Sequence, residues 1–101
     1  MIKHIVLWKL KEFSEGAGRE QNAQRMKTEL EALRGVIPQI LRIEVGINVI
    51  PSDAAYDVAL VAEFADEKEL DLYQKHPAHL KAADFVGKVR ESRVVVDYRV
   101  D

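Results

Sequence analysis

Cysteine is missing altogether from this 101-residue chain, which excludes a disulfide framework, a thiolate metal site and a thiol nucleophile. Long apolar runs are missing too, and Met1 leads straight into an alternating strand pattern rather than a charged segment followed by an apolar stretch. The expectation is a protein with no membrane span and no leader, located by default in the cytoplasm. Charge of one sign is not in excess: the net charge is −2 and no basic stripe stands out, so nucleic acid is not an expected partner. No solenoid-type repeat and no low-complexity segment breaks the chain. A Gly-rich phosphate loop is absent as well, because Gly16-Ala17-Gly18 lacks the lysine and the strand-to-helix setting. No Ser-His-Asp arrangement rises above chance.

What remains is the composition of one ordinary folded domain spanning 1–101, with 48% hydrophobic and 32% charged residues. A monomer of this size buries only about two-thirds of its unfolded surface, so self-association would add useful burial.

Ile2, His4, Val6, Trp8 and Leu10 alternate with Lys3, Ile5, Leu7 and Lys9, which predicts a strand covered on both faces at its middle. Ser14 to Gly18 reads as a loop. Met26, Leu30 and Leu33 then recur at helical spacing beneath a Glu/Arg/Gln/Lys face, with Gly35 as a left-handed stop and Pro38 preventing resumption. A half-buried strand follows through Leu41, Ile43, Val45, Ile47 and Val49, and a third from about Asp57 to Phe64. Asp66, three residues before Glu69, starts a helix with Leu70 and Tyr73 inward. The His76-Pro77 step interrupts it, and a new helix from Pro77 carries Leu80, Phe85 and Val89 to the core. Arg93 to Val100 forms the last strand.

The order βαββαβ, with helices on one sheet face, is the ferredoxin-like α+β arrangement with an antiparallel sheet. Its other face, expected to carry Ile5, Leu7, Val61 and Val95, is too apolar to stay wet, so a homodimer with the two sheets face to face is expected.

Three stretches carry a family resemblance: Met1-Ile-Lys-His-Ile-Val-Leu-Trp8, Tyr73-Gln-Lys-His-Pro-Ala-His79 and Val94-Val-Val-Asp-Tyr98. Over nearly its whole length the chain resembles the stress-responsive A/B barrel, or Dabb, family of dimeric α+β barrel proteins. The resemblance implies a pocket between sheet and helices, and by likeness to a plant polyketide cyclase of that family it places His4, Tyr73 and His79 at the pocket's polar positions. Val6, Trp8, Met26, Leu30, Leu60 and Phe85 would line it. The cyclase pattern has a histidine on the third strand where this chain has Val58, and aromatic residues on the first helix where it has Met26, Lys27 and Leu30. Some relatives also bind a cation through main-chain carbonyls, whose counterpart here is Leu33 to Ile37.

The implied chemistry is a cofactor-free lyase or cyclase reaction on a small apolar carbonyl compound, with His79 as base, Tyr73 as its hydrogen-bonding partner and His4 as a secondary polar group. A plainer reading of the same residues has His79 bonding a backbone carbonyl and Tyr73 packing its ring, in a non-catalytic dimer that binds a small molecule or contributes to a stress response. A cofactor-free monooxygenase is a third possibility implied by related folds. His76 reads as a cap before Pro77, and His76 with His79 makes a poor metal pair across a proline, with no third ligand nearby in sequence.

Overall fold

The computed structural model describes every residue from Met1 to Asp101. Six strands and three α-helices follow one another: β1 (Ile2–Leu10), β2 (Phe13–Ser14), β3 (Ala17–Gly18), α1 (Arg19–Glu31), β4 (Arg42–Ile47), β5 (Val58–Phe64), α2 (Glu67–Lys75), α3 (Pro77–Val89) and β6 (Arg90–Arg99). The main sheet has the order β4-β5-β1-β6 with every pairing antiparallel. That is the ferredoxin-like order expected, with a small β2-β3 hairpin added.

The hairpin occupies what the sequence suggests is a plain loop. Glu15 and Gly16 both take positive φ, 53° and 74°, the two-residue turn whose twist matches its flanking strands. Its backbone is tied to α1 by Asn22, a buried amide that donates to the carbonyls of Ser14 and Ala17. A buried amide with two acceptors is satisfied rather than costly.

Helix α1 ends differently from expectation. Gly35 is not left-handed; the chain tightens into a 3-10 turn over Ala32–Gly35, and the amides of Val36 and Ile37 both reach back to the Leu33 carbonyl. Ile37 then sits before Pro38, where a helical backbone is disfavoured. Strand β4 is shorter than the apolar alternation suggests, since Leu41 and Val49 lie outside it and are exposed. Along β4, the outward amide of Val45 donates to Glu31 at 3.0 Å and its carbonyl accepts from Lys27, two α1 side chains that also pair with each other.

The helix break is as read: Asp66 caps α2 by accepting from the Glu69 amide, and His76 caps α3 through Nδ1, which accepts from the Ala78 amide at 3.0 Å. The inward stripe of α3 is Ala82, Phe85, Val86 and Val89. Leu80 is on the outside, 55% exposed, because it falls on the opposite side of the helix from Phe85 and Val89.

Strand β1 is the centre of the fold. Ile2, His4, Val6, Trp8 and Leu10 all face the helices and are at most 4% exposed, while Lys3, Ile5, Leu7 and Lys9 are half-buried on the open face. At its end the β1-β6 register shifts between Lys9 and Leu10, and the Leu10 amide is taken by the Asp57 carboxylate at 2.7 Å. The phase of β6 is the reverse of that expected. Val6 stands opposite Val95, His4 opposite Asp97 and Trp8 opposite Arg93, and directly opposed residues share a face. Arg93, Val95 and Asp97 therefore belong to the helix side, and Val94, Val96 and Tyr98 join Ile5, Leu7 and Val61 on the open face.

Candidate functional site

The helix side of β1 opens, between the sheet and α3, into a cavity of about 270 Å³ lined by His4, Val6, Trp8, Leu30, Leu60, Tyr73, His79, Ala83, Val86, Gly87, Arg90 and Arg93. All three polar positions anticipated from the sequence, His4, Tyr73 and His79, are brought to it. Four of the six expected apolar residues line it too. Met26 and Phe85 do not: both are buried in the core outside the lining, and the Phe85 ring is covered by the Arg25 guanidinium 3.8 Å away.

Each polar group is placed by a local cause. His4 is brought inward by strand alternation, and its Nδ1 is hydrogen-bonded to the Asp97 carboxylate directly across the β1-β6 pair. A carboxylate accepts, so Nδ1 carries the proton and Nε2 is left as the other nitrogen of the ring. Tyr73 projects from the last turn of α2, and its ring forms a run of aromatic contacts: 4.8 Å from Phe64, 6.3 Å from His4 and 4.5 Å from His79 between centroids. Burial pushes its hydroxyl up to about 12, with Arg93 pulling weakly the other way. Tyr73 is thus a neutral donor at any ordinary pH.

His79 lies in the first turn of α3, directly after the cap. Its Nδ1 donates to the Gln74 carbonyl at 3.0 Å, a bond made possible because the chain turns at His76-Pro77 and brings the end of α2 back over α3. With Nδ1 so committed, Nε2 is the basic nitrogen. Desolvation lowers the pKa of His79 below its ordinary value; the Gln74 carbonyl raises it, and nearby His4, Arg93 and His76 lower it further. Tyr73 packs its ring against His79 and is not hydrogen-bonded to it: both side chains make the contacts of the plainer reading, and the Gln74 carbonyl stands in place of the tyrosine partner that the cyclase likeness implies. Trp8 is 4% exposed, and its indole Nε1 is a sealed polar atom with no partner.

Residues that sequence reasoning missed are Asp97, Arg90 and Arg93. On an alternating strand, charged side chains read as the wet face. Their signal was spacing: Arg93 and Asp97 are four apart and so share a face, and register with β1 puts that face at the cavity.

A larger groove, about 430 Å³, lies between the segment after β4 and the start of α1. Two of its charged residues face each other: Asp57 accepts from the Leu10 amide and lies 3.9 Å from Arg19, whose Nε also donates to the Leu10 carbonyl. That groove holds the β1 end together. The smaller cavity holds the imidazoles.

Comparison with known proteins agrees with this architecture. A family model described as the stress responsive A/B barrel domain matches residues 2–100. A dimeric protein of unknown function with a ferredoxin-like fold from Bacteroides fragilis is 34% identical, with 98% of this chain and 95% of that one covered and a TM-score of 0.84. A dimeric ferredoxin-like protein of unknown function from Thermobifida fusca is 25% identical over 98% and 90%, at a TM-score of 0.82. The hydroxynitrile lyase of Passiflora edulis is 17% identical over 99% and 93%, also at 0.82, a likeness of fold alone. No curated protein matches the chain in sequence.

Proposed function

This chain belongs to the stress responsive A/B barrel family, and on that premise we propose that it is a homodimer whose subunits each bind a small apolar carbonyl compound between sheet and helices. In this reading His79 removes a proton alpha to the carbonyl, in a lyase or cyclase reaction. The carrying observation is the placement of His79: it lines the cavity with Nδ1 donating to the Gln74 carbonyl, which leaves Nε2 as the basic nitrogen, and desolvation favours the neutral ring. Tyr73, held protonated, can donate to the oxygen on which negative charge develops, and the Asp97-oriented His4 supplies a second polar contact. Trp8, Leu30, Leu60 and Val86 give the apolar body a dry wall.

The homodimer rests on the open sheet face. Val94, Val96 and Tyr98 are each more than 40% exposed there, beside half-buried Ile5, Leu7 and Val61, and the relatives from Bacteroides fragilis and Thermobifida fusca are described as dimeric. An apolar surface of this continuity is unusual on a monomer.

Alpha-proton exchange tests the chemistry without the natural substrate. 2-Octanone in D₂O, followed by proton NMR, is expected to lose its alpha signals faster with the protein than without it, and His79→Gln is expected to return the rate to background. Exchange that is absent, or equal in wild type and variant, removes His79 as a base. Saturable ketone binding that persists in such a protein would support the non-catalytic binding reading.

A further inference from the structure

We propose that the cavity takes an anionic ligand, a small organic acid whose carboxylate is held by Arg93 and Arg90 while its apolar body lies against Trp8, Leu30 and Leu60. This deepens the pocket reading above and rests on it, but it concerns the charge of the ligand rather than the reaction.

The observation is an imbalance of charge. The chain is acidic overall, with 17 Asp and Glu against 15 Lys and Arg, yet the cavity lining contains two arginines and no aspartate or glutamate. Neither guanidinium makes an ion pair or hydrogen bond with the protein. Four of the other five arginines are engaged, Arg19 with Asp57, Arg25 with Glu29, Arg42 with Glu44 and Glu63, and Arg99 with Glu67; Arg34, unpaired as well, lies away from the cavity at the end of α1. Asp97, which shares the helix side of β6 with Arg93, is bonded to His4 and pairs with neither arginine. Arg93 is directed to the cavity side by its register opposite Trp8, and Arg90 by the turn from α3 into β6 opposite Leu10. Arg93 is also near enough to influence the titration of both Tyr73 and His79, which places its charge at the polar end of the cavity.

Two unpaired guanidiniums beside an apolar wall form a receptor for a head and a tail. The planar guanidinium matches a carboxylate in a two-point contact that an ammonium cannot copy. A cavity of 270 Å³ suits a ligand of roughly ten heavy atoms, taking a water's share of liquid as about 30 Å³.

The experiment compares matched acids and amides by isothermal titration calorimetry at pH 7.5: octanoate against octanamide, and 3-phenylpropionate against 3-phenylpropionamide. At least one acid is expected to bind saturably and about tenfold or more tightly than its amide. Arg93→Gln should weaken acid binding about tenfold, leave the amide within about twofold, and be partly rescued by Arg93→Lys; Arg90→Gln should have a smaller effect in the same direction. Acid and amide binding alike, Arg93→Gln leaving acid binding unchanged, or no acid binding at all would overturn the inference. Amides binding as well as acids would leave the neutral apolar pocket standing. Arginine-dependent acid binding by a protein that catalyses no alpha-proton exchange would instead uphold this inference and remove the catalytic reading.

Discussion

The two faces of the central sheet are built from the same strands and have different fates. On β1, His4, Val6 and Trp8 disappear beneath the helices, while Ile5 and Leu7 stay half-buried on the other side. Because successive side chains point to opposite faces, one strand writes two messages in alternate residues. The covered face carries the imidazoles, the indole and the guanidiniums of the cavity. The open face carries hydrocarbon where β1 meets β5 and β6, with Lys3 and Lys9 at the ends of β1 and the paired Arg42, Glu44 and Glu63 towards the β4 edge. The proposed chemistry and the proposed assembly are therefore separated by a single peptide step, and substitutions one residue apart should report on different properties.

The largest expected contrast follows directly. Val6→Asp puts an unpaired carboxylate into the core, where Val6 is 1% exposed, and should cost at least about 4 kcal/mol, seen as loss of the cooperative urea transition. Leu7→Asp, its neighbour, should leave a folded subunit with near-native circular dichroism but convert the dimer to monomer in sedimentation velocity. If the two variants unfold alike, or if Leu7→Asp stays dimeric, the division between faces is wrong.

A smaller effect sharpens the same comparison at the margin of the sheet. Glu31 is held below its usual carboxylate range, first by the Val45 amide it accepts from and then by Lys27, against a desolvation cost that works the other way. A depressed folded-state pKa means that its contribution is present above the unfolded value and fades as pH falls through the folded one. Stability of the wild type should thus decline on acidification below about pH 4.3, the ordinary glutamate value, with part of that decline absent in Glu31→Ala. At neutral pH the variant should be about 1 kcal/mol less stable by urea titration, the usual worth of one partly exposed hydrogen bond.

The smallest effect belongs to the cavity. Imidazole resonances followed by NMR should show His79 titrating below its ordinary value of 6.5. Because burial favours the neutral ring, the unfolded chain takes up this proton first on acidification, so stability should slope downward as pH falls below about 6.5 and the slope should flatten in His79→Gln. A His79 that titrates above 6.5 would mean the cavity stabilises the charged ring, contrary to the base proposed here.

The sequence was most legible where alternation is strict. The two sides of β1 and the span of β5 up to Phe64 could be assigned without coordinates, as could the caps at Asp66 and His76. It was least legible at β6. Three consecutive valines, Val94 to Val96, carry no phase of their own, and only pairing with β1 decides which of them turns inward. The same ambiguity hid Arg93 and Asp97, since a charge on an edge strand looks like a contact with water. His4, Tyr73 and His79 were found through the resemblance, and their meeting in one cavity needed the register and the bend at His76-Pro77. That His79 bonds a backbone carbonyl was the plainer of the two readings of the sequence; that the carbonyl is Gln74's could not have been read, because a backbone acceptor has no residue type.

One consequence of Lys27 and Glu31 reaches beyond the folded subunit. By occupying both outward groups of Val45, they take away the docking points for a foreign strand at one residue within β4, one border of the sheet, while β6 forms the other border. An incoming strand would meet a ladder interrupted within β4, and side chains that interrupt an edge in this way are a device against sheet-to-sheet aggregation.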